Sequence, residues 1–102
     1  MTRFSRSTMP YTVRLRAQLA RYLLAHPNED LRRRLSMLRG VPYPPGSHSL
    51  STDEEWSHLA SRFEGLTVIL YGTSIEAVVY TYDPTKNLAV VELAILDGKA
   101  IP

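Results

Sequence analysis

An α+β fold is what this 102-residue sequence predicts. The expected architecture is an N-terminal helical hairpin, with a third short helix, packed on a C-terminal antiparallel β-meander of three to four strands. Two observations lead there. Between Gly65 and Leu96 apolar and polar residues alternate in the runs GLTVILY, IEAVVYTYD and LAVVELAIL, separated only by GTS and PTKN. Connections that short can join only antiparallel neighbours. The charge-rich, helically spaced sequence lies upstream of all of them, and a block of helix followed by a block of strands segregates into the α+β class.

The elements follow in order. Residues 12–26 read as an amphipathic helix, with Leu15, Leu19, Tyr22 and Leu23 recurring at helical spacing and Arg14, Gln18 and Arg21 on the other side. Pro27 stops it. Asn28 then caps a second helix, with Glu29 and Asp30 favoured in its first turn by the dipole, Leu31, Leu35 and Leu38 as its buried stripe, and Gly40 as its end. A connection this short between them makes an antiparallel hairpin. The proline-rich VPYPPGSHSL cannot be helical and is expected to cross the surface in extended form. Ser51 and Thr52, followed by Asp53, Glu54 and Glu55, form a capping-box start for a third helix running to about Phe63, with Trp56, Leu59, Ala60 and Phe63 inward.

Three strands are then expected. Leu66–Tyr71 is almost wholly apolar, as suits a strand covered on both faces. In the second, Ile75, Ala77, Val79 and Thr81 share one face, and Glu76, Val78, Tyr80 and Tyr82 the other. DPTKN turns the chain, Pro84 presetting φ and Asn87 tolerating a left-handed backbone. The last strand places Ala89, Val91, Leu93 and Ile95 on one side and Leu88, Val90, Glu92 and Ala94 on the other. Glu76 and Glu92 accordingly belong to the wetter face. Residues 2–6 could supply a fourth strand, within a segment 1–9 that is either a short edge strand or disordered.

Length supports one domain spanning residues 1–102 with a single modest core. A chain that is 44% hydrophobic and 22% charged is a folding sequence and not a solvated tail. Cysteine is absent, which excludes a disulfide framework, a thiolate metal site and a thiol nucleophile. His26, His48 and His58 have no zinc-ligand spacing, so neither metal nor cofactor is expected. The N-terminus has no apolar stretch of a leader, and no run reaches a membrane span, so a cytoplasmic location is the expectation.

Net charge is only +2, but it is unevenly placed. Arg14, Arg16, Arg21, Arg32, Arg33, Arg34 and Arg39 lie in the helical half against only Glu29 and Asp30, whereas most acid follows residue 51. Arginine's planar fork suits bidentate contact with carboxylate or phosphate, so an acidic protein and an RNA backbone are both admissible partners. Arg14, Arg21, Arg32, Arg33, Arg34 and Arg39 are the candidate partner-binding residues. The alternative for the 32–34 run is simply a solvated helix face.

The order TRFS, LARYLLAHPNEDLRRRLSMLRG, PPGSHSL and YGTSIEAVVYTYDPTKNLAVVELAILDGKAIP resembles the RelE/ParE superfamily of bacterial toxins. Locally it is closest to the ParE pattern, with Gly72 in the turn, Val79, Tyr80 and Asp83 in the apolar-Tyr-x-x-Asp unit, and Asp97, Gly98 and Lys99 where the family has a short basic tail. The resemblance implies the toxic partner of an antitoxin, acting in the cytoplasm on gyrase or on the ribosome and its message. It departs from the family in lacking a basic residue in Thr67–Tyr71 and a histidine in the tail. The residues 51–65 add a helix where the family runs from loop to strand.

Metal-free RNA cleavage needs a base, an acid and cations for the phosphorane. Its candidates are His48, His58, Arg62, Tyr80, Tyr82 and Lys99, while Glu76 and Glu92 would repel phosphate from the sheet. The favoured expectation is therefore a toxin module that works by binding. A non-catalytic interaction protein or immunity-type inhibitor on the same scaffold is the alternative, and a metal-independent endoribonuclease the third. A long exposed sheet edge would also invite a homodimer.

Overall fold

The computed structural model describes residues 11–102. The expected strand at residues 2–6 lies outside them. The chain runs β1 (Thr12–Leu15), α1 (Ala17–Ala25), α2 (Glu29–Gly40), β2 (Ser47–Ser49), two 3₁₀ segments (Leu50–Thr52 and Ser57–Phe63), β3 (Val68–Gly72), β4 (Glu76–Asp83), β5 (Leu88–Leu96) and β6 (Lys99–Ile101). The α+β class and the N-terminal position of the helices agree with expectation. The sheet is larger than a meander: six strands, ordered β1-β5-β4-β3-β2, with β6 also on β5. It is mixed, because β1 runs parallel to β5 while β2–β3, β3–β4, β4–β5 and β5–β6 are antiparallel.

The largest correction falls on residues 12–15. They form a strand and not the first turn of a helix, Thr12 pairing with Leu88 and Leu15 with Val91. Val13 and Leu15 turn into the core while Thr12 and Arg14 stay exposed. That is a period of two, and the Leu15–Leu19 spacing that suggested a helix is a coincidence across the strand–helix junction at Arg16. Further on, α2 forms as expected, with the Asn28 side chain accepting a hydrogen bond from the Leu31 amide at 2.9 Å.

Two further strands appear in segments expected to be loop or tail. Ser47–Ser49 pairs with β3 at the sheet edge, where the Ser47 amide donates to Pro44 and the Thr52 hydroxyl to Ser49 O. At the other end Asp97 (φ 55°) and Gly98 (φ 76°) make a two-residue turn with both residues in the left-handed region. That turn matches the twist of a hairpin and returns the chain as β6.

The third short helix is present, but it is wound as 3₁₀ over Ser57–Phe63 and begins later than residues 51–55. Asp53, rather than Ser51 or Thr52, organises the segment: its Oδ1 accepts from the amides of Glu55 (2.9 Å) and Trp56 (2.7 Å). The expected inward residues do pack inward, Leu59 buried and Trp56, Ala60 and Phe63 against it. About ten residues cannot sustain an α-helix by propensity alone, and a segment tethered at both ends takes the tighter winding its anchors allow.

The sheet therefore has cover on both faces. Leu19, Leu31 and Leu38 of the hairpin pack on Ile69, Tyr71, Val78, Tyr80, Ala89, Val91 and Ala94. Leu50 and Leu59 pack on the opposite side against Val68, Leu70, Ala77, Val79, Leu93 and Ile95. The alternation expected in β5 breaks at a β-bulge: Val79 pairs with Leu93 and Tyr80 with Val91, leaving Glu92 unpaired. An extra residue reverses the facing of everything beyond it. Ala89 and Val91 consequently face the helices, whereas Leu93 and Ile95 face the 3₁₀ cover. Glu76 and Glu92 do not share one wet face: Glu76 meets Arg34 of α2, and Glu92 is held by Arg16 and Thr81.

Candidate functional site

An apolar concavity lies between the two helices. Leu15, Ala20, Leu23, Leu24, Leu31 and Leu35 line an apolar groove of about 400 Å³, with Asn28, Glu29 and Arg32 at its mouth. Its origin is legible in α1. Leu24 lies 100° around the helix from Leu23 and about 140° from Leu19, so the three leucines cannot all reach the sheet. Leu19 is wholly buried and Leu24 is 84% exposed. A volume of this size falls within the usual range of binding clefts, about 300–1,000 Å³.

Arginines surround the hairpin, but most are engaged. Arg32 pairs with Glu29 and Arg33 with Asp30 one turn earlier on α2. Arg34 approaches Glu76 at 3.4 Å and lies over the Tyr71 ring at 5.3 Å, tying α2 to the sheet. Arg14, Arg21 and Arg39 are exposed and have no ion pair among the described residues. Arg21 stands on α1 beside the groove, Arg39 at the C-terminal end of α2, and Arg14 on the sheet face away from the helices. The six candidates thus form no single patch, and Arg21 is the free cation one turn from Leu24.

Arg16 and Glu92, singled out in the sequence only as one basic and one acidic residue, form a two-pronged ion pair joined by Thr81. The guanidinium donates from Nε to Glu92 Oε1 (2.9 Å) and from a terminal nitrogen to Oε2 (3.2 Å), and the Thr81 hydroxyl donates to Oε2 (3.1 Å). The hydrogen bond to Glu92 and its charge raise the Arg16 pKa. The bulge places the carboxylate beside the end of β1, so this cluster pins the parallel strand to β5 and leaves Glu92 with no free charge to offer a ligand.

The candidate catalytic residues are dispersed. Tyr80 is wholly buried on the helix side, its hydroxyl donating to Pro42 O at 2.5 Å, and burial beside Tyr11 and Tyr43 raises its pKa. Tyr82 is packed edge-on against Tyr11 (5.8 Å) and Tyr43 (5.5 Å). Burial also pushes Tyr11 up to about 12. His58 is exposed beside Trp56, and Arg62 lies over the Phe63 ring. Lys99 is exposed on β6, four strand spacings, roughly 19 Å, across the sheet from His48 on β2.

His48 alone has an acid–base neighbour. Its Nε2 lies 2.7 Å from Asp53 Oδ2, at a polar cleft that also includes Thr52, Glu54, Glu55 and Ser74. Burial opposes the Asp53 charge, but the hydrogen bonds from His48 and from the Trp56 and Glu55 amides outweigh it and lower the pKa. An aspartate whose pKa is lowered on folding adds stability that is complete above its unfolded value, about 3.9, and is lost as pH falls through the lower folded value. Asp53→Asn is therefore expected to flatten the fall in melting temperature as pH drops below about 4. Asp83, lowered by Thr85, keeps its own contribution in the same window.

Among the described residues no group of three or more His, Asp or Glu is placed to hold a metal ion, and no helix is long and apolar enough to cross a membrane. Compared with family models, curated proteins and solved structures, the chain matches none.

Proposed function

We propose that this chain is a RelE/ParE-like toxin module of a type II toxin–antitoxin pair, acting in the cytoplasm by binding gyrase or the ribosome. Its hairpin groove takes an apolar helical segment of an acidic antitoxin. The observation that carries this reading is the open groove itself: a leucine-lined cleft between α1 and α2 with Leu24 left outside the core and Arg21 free beside it. An amphipathic helix buries its apolar stripe in such a cleft, and acidic residues on its flank meet the free cation. The succession of helical hairpin and antiparallel strands is the one the family resemblance implies. Dispersal of His48, His58, Arg62, Tyr80, Tyr82 and Lys99 favours binding over RNA cleavage, and equally favours the second reading, a non-catalytic inhibitor that uses the same groove.

Expression separates them. The chain alone is expected to arrest growth, and co-expression of a small acidic protein encoded next to it to relieve the arrest. Leu24→Asp should keep the arrest and abolish the relief. Because Leu24 is almost fully exposed, its replacement changes stability by no more than about 0.5 kcal/mol, which a thermal melt checks. Absence of growth arrest rejects the toxin reading, and relief that survives Leu24→Asp rejects the groove.

A further inference from the structure

The sheet ends on β1, β2 and β6, and these edges are not equally guarded. At β2 the Ser47 amide donates to Pro44 O and the Thr52 hydroxyl to Ser49 O, while β6 is three residues long and opens on the exposed Lys99. Local capping bonds and an edge lysine both discourage pairing with another chain. β1 has neither.

Its backbone shows which groups are left over. The Thr12 amide donates to Asn87 O (3.0 Å) and the Arg16 amide to Val91 O (3.1 Å), so the even-numbered residues turn their amides and carbonyls toward β5. Along a strand the odd-numbered ones turn the other way. The Val13 amide and carbonyl, the Leu15 amide and the Tyr11 carbonyl therefore point off the sheet in its own plane, with no hydrogen-bond partner among the described residues. Donors and acceptors at that repeat are met by another extended backbone.

The side chains select which backbone. Residues 11–15 read Tyr-Thr-Val-Arg-Leu, with 11, 13 and 15 apolar and half-buried on the helix side and 12 and 14 polar and exposed, a pattern symmetric about Val13. The reversed strand thus matches the direct one, as an isologous contact requires. With Val13 opposite Val13, these two exchange both backbone bonds, and each Leu15 amide meets the other copy's Tyr11 carbonyl. Each Arg14 then lies opposite a Thr12 and not opposite the other arginine, and the apolar trio of each copy covers that of the other.

We propose that β1 pairs antiparallel with β1 of a second copy, joining two six-stranded sheets into one. The contact is a single short strand, well below the roughly 800 Å² per partner of a standard interface, so the dimer is weak and concentration-dependent. It rests on the sheet edge and goes beyond the function proposed for the groove, and either can fail without the other.

Sedimentation velocity on the full chain, from about 10 µM to about 1 mM, should show monomer giving way to dimer. Hydrogen exchange followed by NMR locates the contact: the Val13 and Leu15 amides should exchange freely in the monomer and become protected at about 1 mM, whereas the Arg14 and Arg16 amides are protected throughout. Thr12→Glu, which sets a carboxylate opposite Arg14 of the other copy, should tighten the dimer at least about threefold, and Thr12→Arg should weaken it by as much. A chain that stays monomeric overturns the proposal, as does new protection that misses Val13 and Leu15, or a dimer indifferent to both Thr12 substitutions. A dimer abolished by Leu24→Asp lies in the groove and overturns it too.

Discussion

Gly72→Ala is expected to lower stability by about 3 kcal/mol or more, enough to shift the melting temperature by well over 10 °C in a domain of this size. Gly72 ends β3 with φ of +139°, a conformation that side-chain-bearing residues rarely adopt. The space is also taken. A Cβ there would sit 2.6 Å from Ala77 Cα and 2.7 Å from Ala77 Cβ, and would collide with the Glu76 carbonyl oxygen. Backbone cannot swing aside as a flexible side chain can. Relief would require parting β3 from β4 at the Gly72–Ala77 pair, where the tight turn between them begins. A thermal melt or urea titration of the variant measures the loss; Gly65→Ala, which also has positive φ but nothing within 4 Å of the added carbon, should cost markedly less.

Leu19→Ala should be comparably damaging, by about 2–5 kcal/mol. α1 has nine residues, of which Leu19 is the one wholly buried. A helix that short is not stable alone and persists only because its apolar face is docked. Truncating the anchor leaves a cavity against the sheet and loosens the wall of the groove, so partner binding should fall together with the melting temperature. Leu24→Asp, five residues along the same helix, should lose the binding without the melting temperature. Parallel melts and binding isotherms for the two variants distinguish a groove held up by the core from one used for contact.

Local chemistry made much of this fold readable. The Pro27–Asn28 stop and cap, the leucine stripe of α2, the apolar run that becomes β3 and the turn at Pro84–Asn87 each depend on residues within a few positions of one another. The Asp97–Gly98 pair was equally local, and it marks a hairpin that a reading of residues 97–102 as a basic tail overlooked. The groove was half legible: Leu15, Leu19 and Leu23 were read as a buried stripe, whereas Leu24, which falls outside that stripe, was passed over although an apolar residue off the buried face is the signal of a surface contact.

What the sequence determined by itself was which segments are helix-prone, which are strand-prone and which must turn, because propensity, capping and period are properties of neighbours. What only the tertiary structure decided was the fate of segments whose partners are remote. Thr12–Leu15 is a strand because β5, some 76 positions away, offers it an unpaired edge, and a four-residue stretch has no local preference strong enough to resist. Leu93 and Ile95 ended on the face opposite Ala89 and Val91 because the pairing of β4 with β5 shifts by one residue between Val79 and Tyr80. The candidate catalytic side chains are scattered over β2, the Ser57–Phe63 segment, β4 and β6 for the same reason: distance across a sheet is set by strand order, which no run of adjacent residues encodes.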